Sequence, residues 1–477
     1  MVLSVSPLSL LRAPPFPWVE PAVAAVSMPG RSSLDNPERL FAAMRAGRVG
    51  GAFWGADDPW SGETAGEEAA IVRWIADGTG GEAMRAAAIA VIEAAQYRDP
   101  FTGAPIDAHG AVAILAEWRR LIEANRPVAA AVGMAAWKQP AIAQFLWDGR
   151  RSPRCCGPAA ALDRAAPGSA IAYWPSRTPS DLAVRARAKG VAAWQIEDGF
   201  LRSAGLGAEC RPPMSVIVDS TGGIHFDPAY VSEIEMILCT HEFAPDLLNR
   251  AARLRGRIVA ARLGKYGVDQ GSPPPPLPAH AGGRRVVLAV GQVGDDLSVR
   301  RGGGAGGMAG FLERVRAAEP DAFIVYRPHP DVAAGLRDGG ADVAAADLVV
   351  TGGSLLALVE RADAVHVLSS LTGFEALLRG RAVTVHGAPF YAGWGLTTDL
   401  GAVPARRTRR LSIDQLVAGA LILGARYRDP VTQLPCPPEI LVERLATGGR
   451  PAATLLTGFR RALGATRRGL RRAERRA

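Results

Sequence analysis

The segment Ala364–Gly395 most constrains the fold, because it predicts a strand, a helix and a second strand in succession. Its two apolar runs, Ala364–Leu368 and Ala382–Val385, have the length of buried strands. Between them, Thr372 and Glu375 have the spacing of a capping box, in which both side chains satisfy free N–H groups of the first helical turn. Such a unit presents a helix N-terminus that can bind phosphate, although capping alone also explains the two residues.

Charge and cysteine content exclude several classes of protein. The 477-residue chain has a formal net charge of +9, but Arg460–Ala477 alone holds eight Arg and one Glu. The rest of the chain is nearly neutral, which argues against a nucleic-acid groove across the fold. Its five cysteines have neither metal-ligand spacing nor the pattern of a disulfide framework, as expected in a reducing compartment. No secretory signal is predicted at Met1–Leu11, and no apolar run reaches the ~18 residues needed to cross a bilayer.

The order of apolar and helix-like segments predicts an α/β fold in two halves. From Pro127 onward, short apolar runs alternate with helix-like runs, which is typical of a parallel sheet with helices on its faces. Four consecutive prolines interrupt this alternation. We therefore predict two Rossmann-like domains, residues 126–272 and residues 283–448, joined by a Pro-rich linker at residues 273–282.

The chain before these halves contains a possible repeat. Residues 1–48 are predicted to be poorly ordered up to Asn36–Arg39, where a short helix can begin. Residues 49–125 are predicted to be an extra helical segment, with apolar residues at helical spacing over Glu67–Ala95. The phrase Tyr-Arg-Asp-Pro occurs at Tyr97–Pro100 and again at Tyr427–Pro430, each time after a helix-like run. Either the match is a coincidence, or residues 49–125 are the closing helices of an earlier copy of the same module.

Polar phrases follow four of the predicted strands. They are Glu197–Ser203 after Val191–Ile196, Gly291–Ser298 after Arg285–Val290, Arg327–Asp331 after Ala322–Tyr326, and Ser369–Thr372 after Ala364–Leu368. In open α/β sheets, ligands bind outside the carboxyl ends of the strands. We therefore expect a cleft between the two halves, lined by carboxylates, a histidine, an arginine and a helix N-terminus.

Simpler interpretations of these phrases stay open. Glu197 and Asp198 also suit an ordinary acidic turn, and Asp295 and Asp296 also suit a helix N-cap with a neighbouring charge. His329 is harder to explain by structure alone, because the prolines on both sides fix the backbone and leave the ring as a natural contact.

Five phrases carry a resemblance to a known family. They are EDGFLRSAGLG (Glu197–Gly207), GQVGDDLSVRRG (Gly291–Gly302), YRPHPDV (Tyr326–Val332), SSLTGFEALLRG (Ser369–Gly380) and PFYAGWGLT (Pro389–Thr397). In this order they resemble the capsule polysaccharide β-Kdo transferase family of the KpsC type, over roughly Pro127–Leu445. The second phrase is more similar to the C-terminal of the family's two tandem modules. Together with the repeated Tyr-Arg-Asp-Pro phrase, the resemblance implies that residues 49–125 are a remnant of the first module.

The resemblance implies a GT-B fold, with two Rossmann-like domains facing across a cleft, and retaining transfer of Kdo from CMP-Kdo. Retention generally uses two displacements, in which an enzyme carboxylate attacks the anomeric carbon first. The family's pattern aligns Asp296 with that nucleophile and Asp295 with its uncertain neighbour. It also implies Glu197 or Asp198 as the general base and a role for His329 at the leaving group.

Further site residues follow from the same resemblance. The nucleotide-binding residues are expected to be Arg327, His329, Pro330, Ser369, Ser370, Thr372 and Glu375, and the sugar or acceptor residues Arg202, Lys265, Tyr391 and Trp394. The departing CMP needs its negative charge stabilised, which His329, Arg327 and a helix N-terminus can do without a metal. We therefore predict metal-independent transfer with no cofactor, CMP-Kdo being the donor substrate.

The C-terminal tail, residues 449–477, indicates where the acceptor lies. Its leucines and paired arginines recur at helical spacing, as in a basic amphipathic helix on an anionic membrane surface; a solvated tail is the alternative. We expect the acceptor to be a glycolipid or an oligosaccharide. We also expect the protein to be cytoplasmic and peripheral at the inner face of the cytoplasmic membrane. Two other functions stay open: a non-catalytic partner of other capsule synthesis or export proteins, and a GT-B transferase for another nucleotide sugar.

Overall fold

The computed structural model describes residues 10–61, 65–202, 211–265, 267–269, 271–276, 281–304, 306–333, 337 and 342–448. Within them, the strands are β1 (Ser27–Pro29), β2 (Ala95–Arg98), β3 (Pro105–Ile106), β4 (Val128–Val132), β5 (Arg154–Cys156), β6 (Ala170–Tyr173), β7 (Ala192–Asp198), β8 (Ser215–Asp219), β9 (Leu263–Gly264), β10 (Gly267–Val268), β11 (Val286–Val290), β12 (Phe323–Arg327), β13 (Leu348–Val349), β14 (Ala364–Val367), β15 (Ala382–Val385), β16 (Thr398–Asp399), β17 (Arg426–Arg428) and β18 (Pro435–Cys436).

The α-helices of the same residues are α1 (Pro21–Ala24), α2 (Pro37–Gly47), α3 (Glu67–Asp77), α4 (Gly81–Glu93), α5 (Ala108–Asn125), α6 (Gln139–Phe145), α7 (Pro158–Arg164), α8 (Leu182–Ala188), α9 (Glu233–Thr240), α10 (Pro245–Ala260), α11 (Leu297–Gly302), α12 (Phe311–Ala318), α13 (Pro330–Ala333), α14 (Leu355–Arg361), α15 (Leu371–Leu378), α16 (Ile413–Val417) and α17 (Pro438–Ala446). A π-helical segment, Ala418–Leu423, continues α16. The predicted amphipathic tail, residues 449–477, lies outside the described residues.

The chain divides into two compact units. Unit 1 contains the described residues of Met1–Ile171, Lys189–Val191 and Tyr427–Cys436. Unit 2 contains those of Ala172–Ala188, Ala192–Arg426 and Pro437–Ala477. Parts of both predicted domains therefore fall in unit 2, and so do the four prolines of the predicted linker.

The core of unit 2 is a six-stranded parallel sheet in the order β13-β12-β11-β14-β15-β16. Numbered from β11, this is the order 3-2-1-4-5-6 of the Rossmann fold. The residues of β11, β12 and β14 are buried at nearly every position. This explains their continuous Val, Ile and Ala content, because parallel strands covered on both faces have no polar side.

Sequence periodicity located these strands closely. β15 coincides with the predicted Ala382–Val385, whereas β14 ends one residue before the predicted Leu368. β12 is shifted by one residue, so that it includes Arg327. The prediction of an α/β fold with a parallel sheet is confirmed for this part of the chain.

One strand pair of unit 2 departs from the predicted parallel arrangement. β7 and β8 are antiparallel, with Glu197 opposite Ile217 and Asp198 opposite Val216. Both acidic residues therefore end a strand, where the sequence predicted a loop. The prediction was wrong here because an apolar run reveals that a strand is buried but not in which direction its neighbour runs.

The beginning of unit 1 contains regular structure where little order was predicted. Between residues 10 and 35 the chain forms β1 and α1, and α2 begins at Pro37, where a short helix was predicted. Leu10, Leu11 and Phe16 are buried, and the Phe16 ring lies edge-on to Trp118 at 5.0 Å. Frequent prolines hide any helical or strand period in this segment, but the apolar side chains between them still pack into a core.

The predicted helical run Glu67–Ala95 is divided into α3 and α4. Gly78 ends α3 with φ of 84°, and its N–H donates to the carbonyl of Trp74 at 2.8 Å. A left-handed residue at this position is a common helix stop, and glycine adopts it without a Cβ penalty.

The two Tyr-Arg-Asp-Pro phrases form matching hairpins in unit 1. β2 and β3 are antiparallel with Tyr97 opposite Ile106, and β17 and β18 are antiparallel with Tyr427 opposite Cys436. A helix follows each hairpin, α5 after the first and α17 after the second. The repeat is therefore one of structure as well as of sequence.

The turns of these hairpins also agree. The Asp99 carboxylate accepts the N–H of Phe101 at 2.7 Å, and the Asp429 carboxylate accepts the N–H of Val431 at 3.0 Å. The descent of residues 49–125 from an earlier module stays a prediction. No helix in the described part of the chain has the length and hydropathy to span a bilayer.

Candidate functional site

The sheet of unit 2 creates a crevice at its switch point, where β12 and β14 lie on opposite sides of β11. Gln292 follows β11 and Ser369 follows β14. The Ser369 N–H donates to Oε1 of Gln292 at 2.8 Å, and Nε2 of Gln292 donates to Oγ of Ser369 at 3.2 Å. This reciprocal pair fixes the two loops across the crevice. Gln292 was quoted in a motif but was not predicted as a site residue.

The two predicted catalytic aspartates lie at the start of α11. Asp296 occupies the N-cap position, but its side chain makes no capping hydrogen bond and is exposed. Asp295 is also exposed and forms an ion pair with Arg337. Asp296 therefore stands at the capping position of α11, but its carboxylate does not cap the helix and stays exposed beside the crevice.

His329 lies beyond the end of β12, next to the same crevice. Its Nδ1 accepts the N–H of Asp331 at 3.2 Å, so the neutral ring carries its proton on Nε2. Burial lowers the pKa of His329, and the carboxylates of Asp331 and then Asp296 oppose that effect. The charge of Asp296 therefore acts on His329, which ties the two predicted site residues together electrostatically.

Arg327, a predicted nucleotide ligand, has its guanidinium occupied by the protein. It donates to the carbonyl oxygens of Val350, Gly352 and Gly353, which form the turn after β13. Burial lowers the pKa of this arginine. Arg327 therefore supports the turn, while the neighbouring Pro330 begins α13.

The N-terminus of α15 follows β14 at the crevice. Ser370 is the N-cap, and its Oγ accepts the N–H of Thr372 at 3.2 Å. The predicted capping box between Thr372 and Glu375 was wrong, because the helix begins two residues earlier than that box requires. Ser369, Ser370 and Thr372 still surround the helix end, where free N–H groups can bind an anion.

Glu375 points away from the helix start and is only 9% exposed. Its Oε1 accepts the N–H of Lys265 at 2.8 Å, in the turn between β9 and β10. Burial raises the pKa of Glu375, opposed by this hydrogen bond and by the charges of Arg379 and Lys265. Glu375 therefore connects α15 to the turn that carries Lys265.

The acidic end of β7 meets the same turn. Nε of Arg202 donates to Oδ2 of Asp198 at 2.6 Å, in a pair whose arginine is 3% exposed. The Arg202 N–H donates to the carbonyl of Lys265 at 2.9 Å, and the Asp198 N–H donates to Oε1 of Glu197 at 3.0 Å. Four of the residues predicted for acid–base and sugar contacts are therefore brought together.

Tyr391 and Trp394 were predicted as sugar or acceptor contacts but are fully buried. The Tyr391 hydroxyl donates to the carbonyl of Ser370, and the Trp394 indole N–H donates to the carbonyl of Phe390 at 2.8 Å. Both side chains therefore support their loop from inside and present no surface to a ligand.

An aromatic cluster, which we define as Phe200, His225, Phe374 and Phe390, joins three of the quoted motifs. Phe200 stacks on Phe390 at 4.6 Å, Phe374 lies 5.3 Å from Phe390, and His225 lies edge-on to Phe200 at 5.2 Å. His225 belongs to none of the motifs. A histidine between Ile224 and Phe226, after a polar and glycine-containing turn, was the sequence signal for it.

Outside this site, unit 1 contains a separate groove of about 500 Å³. Its lining includes Gln139, Arg154, Cys155, Cys156 and Arg164, and none of the predicted site residues. Among the described residues, no three His, Cys, Asp or Glu side chains are grouped as a metal ion requires. Metal independence stays a prediction.

Comparison with known proteins agrees with the motifs. The family model described as capsule polysaccharide biosynthesis protein matches residues 169–266 and 277–427, more than half of the chain. The chain belongs to this family. All the residues predicted for the site lie within the two matched segments.

Curated relatives in two bacteria are similar to the chain. The lipopolysaccharide-processing protein LpsZ of Rhizobium meliloti is 45% identical over 241 residues, which are 49% of this chain and 54% of that protein. The capsule polysaccharide modification protein LipA of Neisseria meningitidis serogroup A is 35% identical over 357 residues, 72% of this chain and 49% of LipA. The chain therefore spans about half the length of the curated relatives it matches.

Two solved structures from Thermosulfurimonas dismutans are also similar. The KpsC β-Kdo 2,4 transferase matches with a TM-score of 0.58 and 28% identity, and the KpsC β-Kdo 2,7 transferase with 0.53 and 29%. Each match covers 67% of this chain and nearly all of the other structure. The two scores are close, so they do not single out one of the two linkages.

Proposed function

We propose that the chain is a retaining β-Kdo glycosyltransferase, which moves Kdo from CMP-Kdo to a lipid-linked or oligosaccharide acceptor in capsular polysaccharide biosynthesis. One observation carries the proposal: the switch point of a Rossmann-type sheet bears an exposed aspartate, a neutral histidine and a helix N-terminus, in a chain similar to two Kdo transferases. We extend the proposal to a GT-B arrangement, in which such a sheet binds the nucleotide.

In the proposed reaction Asp296 is the nucleophile. Its carboxylate attacks the anomeric carbon of Kdo, the bond from that carbon to the phosphate oxygen breaks, and CMP leaves with the electron pair. An acceptor hydroxyl then attacks the same carbon and displaces Asp296. Two inversions give net retention. The absence of a capping bond to Asp296 supports this role, because its carboxylate is not committed to the helix.

The other groups of the site have complementary roles. The N–H on Nε2 of His329 and the N-terminus of α15 stabilise the charge that develops on the CMP phosphate. Glu197 or Asp198 accepts the proton of the acceptor hydroxyl. No step needs a metal, so we expect chelators to leave the rate unchanged. We also keep the proposal that the tail, residues 449–477, holds the protein on the inner face of the cytoplasmic membrane.

The test is incubation of the purified chain with CMP-Kdo, generated in situ, and a synthetic Kdo-terminated glycolipid. Mass spectrometry follows both acceptor and protein for the wild type, Asp296→Asn and the neighbouring Asp295→Asn. We expect one added Kdo on the acceptor, a β linkage by NMR, and a loss of at least about a thousandfold in Asp296→Asn. Asp295→Asn is the matched control, because its exposed carboxylate already pairs with Arg337.

Three outcomes would change the proposal. If Asp295→Asn is inactive and Asp296→Asn is active, the nucleophile is Asp295. If another nucleotide sugar is used in place of CMP-Kdo, the chain is a transferase with a different donor. If the folded wild type neither transfers Kdo nor releases CMP, a non-catalytic role beside other capsule proteins replaces the enzyme.

A further inference from the structure

The loop after β8 enters the candidate site, although none of the five quoted motifs includes it. Nε2 of Gln195, on β7, donates to the carbonyl of Gly222 at 2.8 Å. Nη1 of Arg301, on α11, donates to Oδ2 of Asp227 at 3.0 Å. The loop therefore runs between the strand that ends at the acidic pair and the helix that starts after Asp296.

His225 lies in the middle of this loop, with its ring against aromatic side chains. Ring centroids are 5.2 Å apart for His225 and Phe200, 6.0 Å for His225 and Phe390, and 5.4 Å for His225 and Phe226. Nδ1 is buried, and no hydrogen-bond partner for it exists among the described residues. A buried polar atom without a partner is uncommon in proteins and needs an explanation.

Lys265 is the charged residue whose field acts on His225. Burial, and then the charge of Lys265, lower the pKa of His225 to about 3, so the ring is neutral at pH 7. The backbone of Lys265 is fixed on both sides, because its N–H donates to Glu375 and its carbonyl accepts the N–H of Arg202. The residue that carries the ammonium group is thus held by two separate elements of the site.

A neutral imidazole in the field of a lysine whose backbone is held in place has the chemistry of an anion subsite. The imidazole offers one N–H donor without adding a second positive charge, and the ammonium group supplies the charge. Packing alone does not explain a histidine here, because a phenylalanine would fill the aromatic cluster without burying an unpaired nitrogen. Oε1 of Glu375 accepts the backbone N–H of Lys265 and not an N–H of the imidazole, so this oxygen is not the hydrogen-bond partner of His225.

We propose that His225 and Lys265 bind the carboxylate of the transferred sugar acid. The proposal rests on the proposed function and names the group that the site recognises. A donor with a neutral hexose has no such carboxylate. This pair would therefore select a sugar acid over the many neutral sugars that nucleotides carry.

The test compares Kdo with its methyl ester, which keeps the sugar ring and removes the negative charge. Titration calorimetry measures the affinity for CMP, and then for Kdo or the ester on CMP-saturated protein. His225→Phe keeps the ring packing and removes the N–H, whereas His225→Gln keeps an N–H donor. Lys265→Met removes the charge. His241→Phe is the matched control, because His241 lies edge-on to Phe243 at 5.0 Å outside the site.

We expect the wild type to prefer Kdo over the ester by roughly tenfold to a hundredfold, the range for a hydrogen bond to a charged group. His225→Phe and Lys265→Met should lose most of this preference while CMP affinity stays within about twofold, and His225→Gln and His241→Phe should keep it. In transfer assays, His225→Phe and Lys265→Met should raise the KM for the donor by a larger factor than they lower kcat.

Two results would overturn the subsite. The first is an unchanged preference for Kdo in both His225→Phe and Lys265→Met. The second is an equal loss of CMP and Kdo affinity together with a lower melting temperature, which would make His225 a packing residue. A folded wild type that binds neither CMP nor Kdo would instead reject the proposed function, and the subsite with it.

Discussion

The N–H of Lys265 donates a 2.8 Å hydrogen bond to Oε1 of Glu375, 110 residues further along the chain. Arg379 reinforces this connection, because its Nη2 donates to the carbonyl of Leu263 at 3.0 Å. Glu375 and Arg379, which are four residues apart along the helix, therefore hold the β9–β10 hairpin at Lys265 and at Leu263. A methyl group on Gly264 would lie 2.8 Å from the same Glu375 oxygen, so the approach is close.

Glu375→Ala should destabilise unit 2 by about 1–3 kcal/mol, because it leaves the buried N–H of Lys265 without an acceptor. Glu375→Gln keeps an oxygen at that position and should lose less. Urea unfolding followed by tryptophan fluorescence measures both. If Glu375→Ala unfolds like the wild type but loses affinity for CMP, the carboxylate binds the nucleotide, as the family resemblance implied.

Gly373→Ala should also destabilise unit 2, because the added Cβ would lie 2.3 Å from the hydroxyl oxygen of Tyr391. Tyr391 is fully buried and cannot move away without breaking its bond to the Ser370 carbonyl. We expect a loss of about 1–3 kcal/mol in the free energy of unfolding, as for other overpacked cores. CMP affinity should fall as well, since Ser370 caps the helix that faces the crevice.

The matched control is Gly256→Ala in α10, where an added Cβ has open space. Alanine is the better helix former there, so stability should rise by up to about 1 kcal/mol. An equal gain in stability in the two variants would mean that helix propensity, and not the contact with Tyr391, decides the result.

The sequence located the sheet of unit 2 and the residues at its strand ends. Parallel strands buried on both faces are uniformly apolar, and they end where Gln292, His329 or Ser369 introduces polar groups. The position of these ends relative to one another follows from the order of the strands. This is why Asp296, His329 and the N-terminus of α15 could be expected at one crevice.

Other parts of the site depend on partners that are distant in the chain. The spacing of Thr372 and Glu375 fits a local cap, but Glu375 instead binds the N–H of Lys265. The aromatic loop around Tyr391 and Trp394 has the composition of a sugar platform and also that of a packed core. His225 was missed because a single histidine in a loop has no period that could distinguish it.

The buried ion pair of Arg407 and Glu235 should be among the costliest contacts to remove from unit 2. Nη2 and Nε of Arg407 donate to Oε2 of Glu235 at 2.9 and 3.0 Å, and Nη1 donates to the carbonyls of Pro389 and Ala392. Glu235→Gln leaves the arginine charge buried, so the free energy of unfolding should fall by about 3–5 kcal/mol.

Glu117→Gln is the control for that variant. Glu117 pairs with Arg120 at 2.7 Å on the exposed side of α5, and such pairs contribute about 1 kcal/mol or less. Urea unfolding at low and high salt separates the two, because salt screens the exposed pair much more than the buried one. Losses of similar size in both variants would show that Glu235 is not held as the structure describes.

Two buried histidines should make unit 2 less stable in mild acid. Nδ1 of His366 and Nε2 of His386 are 3.1 Å apart, and burial lowers the pKa of each to about 4, against about 6.5 in an unfolded chain.

Between pH 4 and pH 6.5 the unfolded state therefore binds more protons than the folded state. The free energy of unfolding should fall as the pH drops from about 6.5 toward 4, and it should not depend on these two rings above pH 6.5. Oε1 of Glu319 lies 3.5 Å from Nε2 of His366, and burial still lowers the pKa of that ring. His386→Gln keeps a donor for His366 and removes one titrating ring, so urea unfolding at pH 7.5 and 5 should show a smaller loss than in the wild type. Equal losses in the two proteins would assign the acid sensitivity to other groups.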